Sequence, residues 1–341
     1  MSLVLVVVAL AFAWSMGAHY TGAVMGMPHA SNAIQVWPAL IIVAILTVVG
    51  ATTASGGVQT TVGLHIVDPA GVTVLAATCM VLSAAILTTV FTYLKIPTPT
   101  IQIFVFSIVG AGLAARLAIR WDSILRLAVL WVLAPPVALV LGFAFTHLLD
   151  LLVPPGEAKA ETELVAAGEQ RVTPRSSVVD ALSPAARALP TILVLVGCAA
   201  SFTLGANDVS NAVGVFAMTH LMTTTLAGLV GGIAMAVGAL TWGRRILERV
   251  AFDVVRTDLS MASAAQLVQA LVVLAAVSQG LFTSMNQALI GAMTGTGLAR
   301  GNQTIQWRVV RGILIGWAVG PLSGVVTGFA LYAALSAIGG W

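Results

Sequence analysis

The chain has 341 residues, of which 59% are hydrophobic and only 8% are charged, and its formal net charge is +3. Soluble proteins carry about 25% charged residues, so this composition excludes a soluble domain and predicts a polytopic membrane protein whose partner is the lipid bilayer. The few charges form no basic cluster with interleaved aromatic residues, which argues against a nucleic-acid partner.

Apolar stretches of about 20 residues, the length that spans a bilayer, recur along the whole chain. They lie near residues 3–26, 34–55, 71–94, 100–119, 124–153, 189–216, 222–242, 262–281, 285–299 and 309–338. The first stretch has no basic residues before it and no cleavage site near its end, so we expect a retained helix rather than a signal peptide. This pattern predicts a multi-pass protein of the cell (plasma or inner) membrane.

A polar segment from Pro154 to Arg187 separates two sets of five apolar stretches and contains nine charged residues. A segment of this composition cannot lie in lipid, and we interpret it as an extramembrane linker. The predicted organisation is therefore a first transmembrane repeat over 1–153, a linker over 154–188 and a second transmembrane repeat over 189–341.

The two sets of stretches share short patterns in the same order. Trp131, Pro135 and the Gly-Phe-Ala at 142–144 recur with the same spacing as Trp317, Pro321 and the Gly-Phe-Ala at 328–330. Duplication around a midplane site is typical of secondary transporters. We predict an all-α polytopic fold of about 10–12 membrane segments, arranged as two inverted repeats with broken helices and re-entrant helical hairpins.

Basic residues give divided evidence on the orientation of the two repeats. Both repeats place arginines after the fourth stretch, and the positive-inside rule would put both groups on one side of the membrane. These arginines are Arg116, Arg120 and Arg126 in the first repeat and Arg300, Arg308 and Arg311 in the second. The cluster around Arg244 and Arg245 has no counterpart in the first repeat, which favours inversion.

The segment Gly205–Gly214 places an aspartate, two asparagines and two glycines inside an apolar stretch. An ionised carboxylate in the hydrocarbon region costs roughly 2.5–3.5 kcal/mol, so Asp208 requires a partner or a function. We expect a helix break here, of the kind by which transporters expose backbone groups to an ion or a substrate. The alternative is an interhelical contact in which small residues allow close packing.

The first repeat has a weaker counterpart at 17–26, which keeps the glycines and loses the aspartate. A helix break is expected here as well, with Gly17 and Thr21 near the substrate. His19 is a candidate for cation or proton coupling because imidazole titrates near neutral pH, although a lone histidine beside a helix break also serves as ordinary structure.

Two further segments lie where a long apolar stretch ends and a shorter one begins. The first, at 95–102, contains Thr98, Thr100 and Gln102, and the second, at 280–287, contains Ser284, Asn286 and Gln287. Free N–H groups, the positive end of the helix dipole and hydroxyls meet at such helix starts and can bind an anion without a basic residue. We predict that these six residues bind substrate, and the alternative is ordinary helix capping.

At these residues the chain resembles the inorganic phosphate transporter (PiT) family of secondary transporters. Gly205–Gly214 matches the family motif Gly-Ala-Asn-Asp-x-x-Asn-Ala, and the segment around Ser284 is similar to the hairpin-tip signature. The resemblance covers nearly the whole chain and implies a cation-coupled symporter for a tetrahedral oxyanion, often a homodimer. It also implies that Asn207, Asp208 and Asn211 bind cation and substrate and that Ser284 binds substrate from a hairpin.

The chain departs from the family pattern at two places. It has His19-Tyr20 where the family has Asn-Asp, and Gln102 and Gln287 where the family has histidine. A phosphate site needs an acceptor for the proton of the anion, whereas sulfate needs donors only, and an amide can donate. The departures therefore favour sulfate and resemble the divergent sulfate-permease branch, with phosphate as the alternative and bicarbonate or another anion as a more remote one.

Uptake of an anion requires co-transported cations, because moving an anion into a negative-inside cell costs about 2.3 kcal/mol per charge per 100 mV. We expect Asp208 to hold the co-transported ion, either sodium or a proton, and we expect no cofactor or metal beyond a bound sodium ion. A passive anion channel is disfavoured because no continuous polar stripe is visible. An enzyme is disfavoured because neither a nucleophile–base pair nor a metal-ligand set is present.

Overall fold

The computed structural model describes residues 2–94, 98–167, 182–247, 257–301 and 305–339. Lys95 to Pro97, from the predicted substrate segment 95–102, and residues 169–180 of the predicted linker lie outside these ranges. The helices that it shows are α1 Ser2–Ala30, α2 Val36–Thr53, α3 Gly56–Leu64, α4 Val74–Tyr93, α5 Thr100–Ala114, α6 Trp121–Asp150, α7 Pro155–Ala167, α8 Pro184–Val213, α9 Val215–Met218, α10 Thr224–Thr241, α11 Gly243–Leu247, α12 Leu259–Ser278, α13 Met285–Ala299 and α14 Trp307–Gly339, with a short 3₁₀ helix at Pro69–Gly71.

Each of the ten predicted apolar stretches coincides with a helix. Eight of these helices are long and apolar enough to cross a membrane, so the protein is a multi-pass integral membrane protein. The other two, α5 and α13, have 15 residues each. At 1.5 Å per residue they extend only about 22 Å, less than the roughly 30 Å of the hydrocarbon core.

Helices α5 and α13 are the returning arms of two re-entrant helical hairpins, which confirms that prediction. In hairpin 1, formed by α4 and α5, the segment before α4 contacts the segment after α5, since the Asp68 amide donates to the Ala118 carbonyl at 3.0 Å. In hairpin 2, formed by α12 and α13, Asp258 before α12 pairs with Arg300 after α13 at 3.2 Å. Each hairpin therefore enters and leaves on one face of the membrane.

The two hairpins enter from opposite faces. Helix α6 begins at Trp121, soon after α5 ends, and its 30 residues extend for about 45 Å. It ends at Asp150, whose carboxylate pairs with Arg300 beyond the end of α13. Arg116 and Arg120 consequently lie on the opposite face from Arg300, which is the division that inverted halves require. The repeat itself stays a prediction.

The helix break predicted at 17–26 is wrong, and the break predicted within Gly205–Gly214 occurs only at its last residue, Gly214, between α8 and α9. Helix α1 is continuous through Gly17 and α8 is continuous from Pro184 to Val213, through Gly205 and Asp208. The glycines allow close packing instead, because a Cβ at Gly17 would lie 1.9 Å from the Met235 carbonyl oxygen of α10. Further breaks lie between α2 and α3 and between α10 and α11.

We expect Gly205→Ala to lower the free energy of unfolding by about 1–3 kcal/mol, the usual cost of overpacking a helix contact. A Cβ at this position would lie 1.9 Å from the Thr47 carbonyl oxygen of α2, and backbone cannot move aside as a flexible side chain does. The measurement is the thermal unfolding midpoint of the purified protein in detergent. Gly312→Ala is the control, since nothing lies within 4 Å of a Cβ there. Equal midpoints for the two variants would contradict the close approach of α2 and α8.

The two halves pack on each other reciprocally. Hairpin helix α5 lies against α14 of the second half, and hairpin helix α13 lies against α6 of the first half. In the same way α1 contacts α10, and α2 contacts α8. The proposed boundaries at 153 and 189 therefore do not separate two independent bodies, because the core is built from contacts between the halves.

Candidate functional site

The tips of the two hairpins meet inside the protein. The Gln102 amide nitrogen donates to the Gln287 side-chain oxygen at 3.1 Å. Beside this pair, the Asn286 amide donates to the Thr98 carbonyl at 3.4 Å. Gln102 and Gln287 are 6% and 3% exposed, so the junction is closed to bulk water. The structure thus brings together residues that the sequence had placed in two separate segments.

Both hairpin helices begin at this junction and run away from each other to opposite faces. The first amides of a helix have no intrahelical partner and carry the positive end of the dipole. Pro99 precedes α5, and Ser284 precedes α13. The Ser284 hydroxyl accepts a hydrogen bond from the backbone amide of Gln287 at 3.3 Å. Two positive helix ends directed at one point favour an anion there without requiring a basic side chain.

Two buried hydroxyls beside these helix starts are without a partner in the described part of the chain. They belong to Thr98, just before α5, and to Thr283, just before α13, and both side chains are fully buried. A buried polar atom that is left without a hydrogen-bond partner costs about 1–3 kcal/mol. Two such hydroxyls at equivalent positions of the two hairpins therefore indicate a binding site for a polar ligand.

Asp208 lies beside the hairpin tips on α8 and is fully buried. Its carboxylate accepts from the Asn207 amide at 2.9 Å and from the Asn211 amide at 3.4 Å. The side-chain oxygen of Asn211 is buried and has no partner among the described residues. Asp208 and Asn211 together present carboxylate and amide oxygens, the ligands that a hard monovalent cation prefers.

Asn207 connects this carboxylate to the tip of hairpin 2. Its amide nitrogen also donates to the Thr283 carbonyl at 2.8 Å, and its side-chain oxygen accepts from the Thr283 amide at 3.2 Å. The side-chain amide of Asn207 therefore both donates to and accepts from the backbone of Thr283. In this conformation Asn207 holds the tip in place.

Tyr20, which the sequence reasoning did not select as a site residue, connects α1 to the tip of hairpin 1. The side chain is fully buried, and its hydroxyl is hydrogen-bonded to the hydroxyl of Thr100, the first residue of α5. A buried tyrosine in an apolar helix gives no sequence signal beyond that of a core residue.

His19 is half-buried and bridges α1, α4 and hairpin 2. Its Nδ1 lies 2.7 Å from the Thr92 hydroxyl, which itself donates to the Thr88 carbonyl at 2.7 Å. The Thr92 oxygen therefore accepts from Nδ1–H of the neutral ring, and Nε2 is left to accept from the Asn286 amide at 3.4 Å. His19 thus contacts a predicted substrate residue directly.

Gly17 and Thr21 do not join this cluster. Gly17 packs against α10, and the Thr21 hydroxyl donates to the Gly17 carbonyl at 2.8 Å on the face of α1 that meets Gly243. In the structure Gly17 allows close helix packing and Thr21 is hydrogen-bonded within α1, and their place near the substrate stays a prediction.

Two buried glutamines on α12 also lie near the site and were missed. Gln266 donates to the Ala23 carbonyl at 3.0 Å and to the Gln269 oxygen at 2.7 Å, and Gln269 donates to the Met285 carbonyl at 3.4 Å. They tie α1 to the start of α13. Their polarity inside an apolar stretch was the signal that could have found them.

An ion-pair cluster fixes the outer end of hairpin 2. Arg300 pairs with Asp150 and Asp258 and donates to the Ser260 hydroxyl at 2.8 Å. Burial lowers the pKa of the guanidinium, but the hydrogen bond to Asp150 and the charges of both aspartates outweigh it and raise the pKa above its ordinary value. The guanidinium therefore stays charged and joins three helix ends.

We expect Arg300→Gln to lower the free energy of unfolding by about 2 kcal/mol, since it leaves two partly buried carboxylates without their partner. The thermal midpoint in detergent measures this loss. Arg311→Gln is the matched control, because this arginine is exposed on α14. A loss of the same size in both variants would show that the cluster contributes nothing specific.

Comparisons with known proteins agree with this architecture. The sequence model of the phosphate transporter family matches residues 16–328. The sulfate permease CysP of Bacillus subtilis is 27% identical over 325 residues, which cover 94% of this chain and 84% of CysP. Sodium-dependent phosphate transporter 1 of Homo sapiens is 32% identical over 146 residues, 39% of this chain and 22% of the human protein. A solved structure described as "The sodium-dependent phosphate transporter" has the same fold, with a TM-score of 0.87, 23% identity and coverage of 99% and 100% of the two chains. The chain thus belongs to the phosphate transporter family.

Proposed function

We propose that this protein is a cation-coupled symporter that imports a small tetrahedral oxyanion, with sulfate favoured. Family membership makes it a membrane transporter of inorganic anions. The observation that carries the finer proposal is the junction of the hairpins, where two helix N-termini and the unpaired hydroxyls of Thr98 and Thr283 converge. These groups are donors, and a tetrahedral oxyanion accepts hydrogen bonds in several directions at once.

Sulfate is favoured by the side chains at the junction. Gln102 donates to Gln287, which directs the amide nitrogen of Gln287 away from that bond and leaves it free to donate. Thr100, Ser284 and Asn286 supply further neutral polar groups beside it. An anion without a proton is satisfied by such donors. The CysP protein, named a sulfate permease, supports this choice.

Phosphate is the second candidate. Asp208 and the unpaired oxygen of Asn211 are acceptors near the hairpin tips, and an acceptor can take the proton that phosphate carries near neutral pH. The family description and the name of the human relative support this alternative.

We propose that the coupling cation binds at Asp208, with Asn211 supplying a neutral oxygen. These two oxygen ligands would suit a sodium ion, whereas the carboxylate alone would suit a proton. The human relative is named sodium-dependent, which supports the sodium alternative. His19 is the second coupling candidate, because its Nε2 is the acceptor nitrogen and faces Asn286 on hairpin 2.

The decisive experiment measures uptake of labelled sulfate and labelled phosphate by the purified protein in liposomes. Sodium and proton gradients are imposed separately, and accumulation above equilibrium is the expected result for one anion with one gradient. Bicarbonate is added as a competitor. Equilibration without accumulation would indicate a passive channel, and no uptake of either anion would overturn the proposed function.

A further inference from the structure

Helix α12 carries a row of polar side chains at every third position, and residues three apart are neighbours on a helix surface. The row consists of Ser260, Ser263, Gln266 and Gln269. Each of these side chains is at most 2% exposed. At the outer end, the Ser260 hydroxyl accepts from Arg300 at 2.8 Å, and at the inner end Gln269 donates to the Met285 carbonyl at 3.4 Å. The row therefore connects the membrane face of Arg300 with the start of α13 at the hairpin junction.

Two atoms in the middle of this row are buried and have no hydrogen-bond partner among the described residues. They are the hydroxyl oxygen of Ser263 and the side-chain oxygen of Gln266. The amide nitrogen of Gln266 donates to the Ala23 carbonyl at 3.0 Å and to the Gln269 oxygen at 2.7 Å. Because a carbonyl can only accept, the nitrogen has to face Ala23, and the oxygen of Gln266 is the group left over.

The unpaired hydroxyl of Ser263 is not an ordinary feature of a hairpin helix. A hydroxyl inside a helix usually donates to a carbonyl one turn earlier in the same helix. Hairpin 1 has Thr78 at the equivalent position, 185 residues earlier, which is the separation of the two paired glutamines at the junction. The Thr78 hydroxyl does donate to the Val74 carbonyl, at 2.7 Å. The two glutamines of the row correspond in the same way to apolar residues of hairpin 1, Val81 and Ala84.

The two unpaired atoms suit water. Side chains three residues apart begin about 5–6 Å from each other, so one molecule can touch both. A water molecule there would accept from the Ser263 hydroxyl and donate to the Gln266 oxygen, and buried waters typically make about three hydrogen bonds to groups of this kind. Leaving both atoms unpaired costs about 1–3 kcal/mol each, so hydration of the row is favourable.

We propose that this row lines a hydrated path through which the transported ions exchange between the hairpin junction and the membrane face of Arg300. Helix α1 forms the opposite wall, since Gln266 is bonded to Ala23. The path is closed in this conformation, because its side chains are buried. The inference rests on the proposed function, since it takes the hairpin junction as the anion site.

The length of the row separates such a path from a channel. Nine residues of α helix extend for about 14 Å, roughly half of the 30 Å hydrocarbon core. The row thus reaches the junction from one face only. Access from one face at a time is what a symporter requires, whereas a channel needs polar groups along the whole thickness.

The test measures how fast the variant Ser263→Cys reacts with a charged methanethiosulfonate reagent, which does not cross lipid and requires a thiolate in contact with water. The native cysteines, Cys79 and Cys198, are first replaced by alanine. Labelling is followed in intact cells and in inverted membrane vesicles. Two exposed positions identify the faces: Lys159→Cys on α7 marks the face of Arg300, and Asp122→Cys at the start of α6 marks the opposite face.

We expect Ser263→Cys to be labelled only in the preparation in which Lys159→Cys is labelled. The control is Ala265→Cys, which is also fully buried on α12 but lies about 200° around the helix from Ser263. Ser263→Cys should react at least about tenfold faster than this control, because only the row is hydrated. Labelled Ser263→Cys should also lose anion uptake, since the added group obstructs the path.

If Ser263→Cys does not fold, Ala270→Cys takes its place, because this alanine lies one turn beyond Gln266 and the change is the same as in the control. No labelling of the folded variant in either preparation would overturn the inference, and so would equal rates in the variant and in Ala265→Cys. Labelling from the face of Asp122 would contradict the direction of the path.

Labelling does not depend on transport, so the two proposals fail separately. A wild type that accumulates neither anion refutes the proposed function, whatever the cysteine variants show. Accumulation of an anion by the wild type, without labelling along the row, refutes this inference alone.

Discussion

Asp208→Asn is expected to reduce concentrative uptake to the level of protein-free liposomes. The substitution keeps the size of the side chain and removes the negative charge that binds the cation. A dianion entering against 100 mV requires about 4.6 kcal/mol, so uptake without a coupled cation loses roughly three powers of ten in accumulation. The measurement is the ratio of internal to external labelled anion at steady state.

Asp122→Asn is the matched control, because this aspartate is exposed in the first turn of α6. It should accumulate anion as the wild type does. Facilitated exchange of anion across Asp208→Asn liposomes, without net accumulation, would agree with loss of coupling alone. Undiminished accumulation in Asp208→Asn would refute the assignment of the cation to this carboxylate.

Gln287→Glu is expected to raise the KM for sulfate by at least 100-fold. The new carboxylate can still accept from Gln102, so the contact between the hairpins persists. It replaces the free donor by a negative charge, and two like charges about 4 Å apart repel by roughly 4 kcal/mol at an effective dielectric constant of about 20. Initial rates of uptake over a range of sulfate concentrations measure the effect.

The same variant separates the two candidate substrates. Protonated phosphate can donate to a glutamate, so its KM should rise less than that of sulfate. Gln35→Glu adds the same charge at the exposed start of α2 and serves as the control. An unchanged KM for both anions in Gln287→Glu would place the anion away from the hairpin junction.

The sequence located the membrane segments well because a helix in lipid has to be apolar along its whole length. Stretches 100–119 and 285–299 were also correctly expected to start at hairpin tips, since the hydroxyls and glutamines marked where a helix could begin. The side of the membrane from which each hairpin enters was not predictable. It depends on the pairing of Arg300 with Asp150, a contact between residues 150 positions apart that no local pattern reveals.

Conspicuous polarity identified the residues that the structure brings together, whereas residues that also serve in packing gave no such signal. Asp208, Asn207 and the hairpin residues stood out from apolar surroundings, and the structure brings them together. Gly17 and Gly205 suggested flexible backbone, whereas they permit close contact between helices, which requires knowledge of the neighbouring helix. Tyr20 was passed over because its ring belongs to the core and only its hydroxyl reaches the site.

The packing of α5 against α14 also has a consequence for biosynthesis. A Cβ at Gly110 of α5 would lie 2.1 Å from the Val325 carbonyl oxygen, so the backbones of the two helices are in close contact at this glycine. A ribosome that adds roughly 5–20 residues per second completes α14 more than 10 s after α5 has emerged. During that interval hairpin 1 lacks α14, the helix against which α5 packs in the complete protein. A nascent chain that stops before Trp307 would carry every residue of the proposed anion site but lack the helix against which α5 packs.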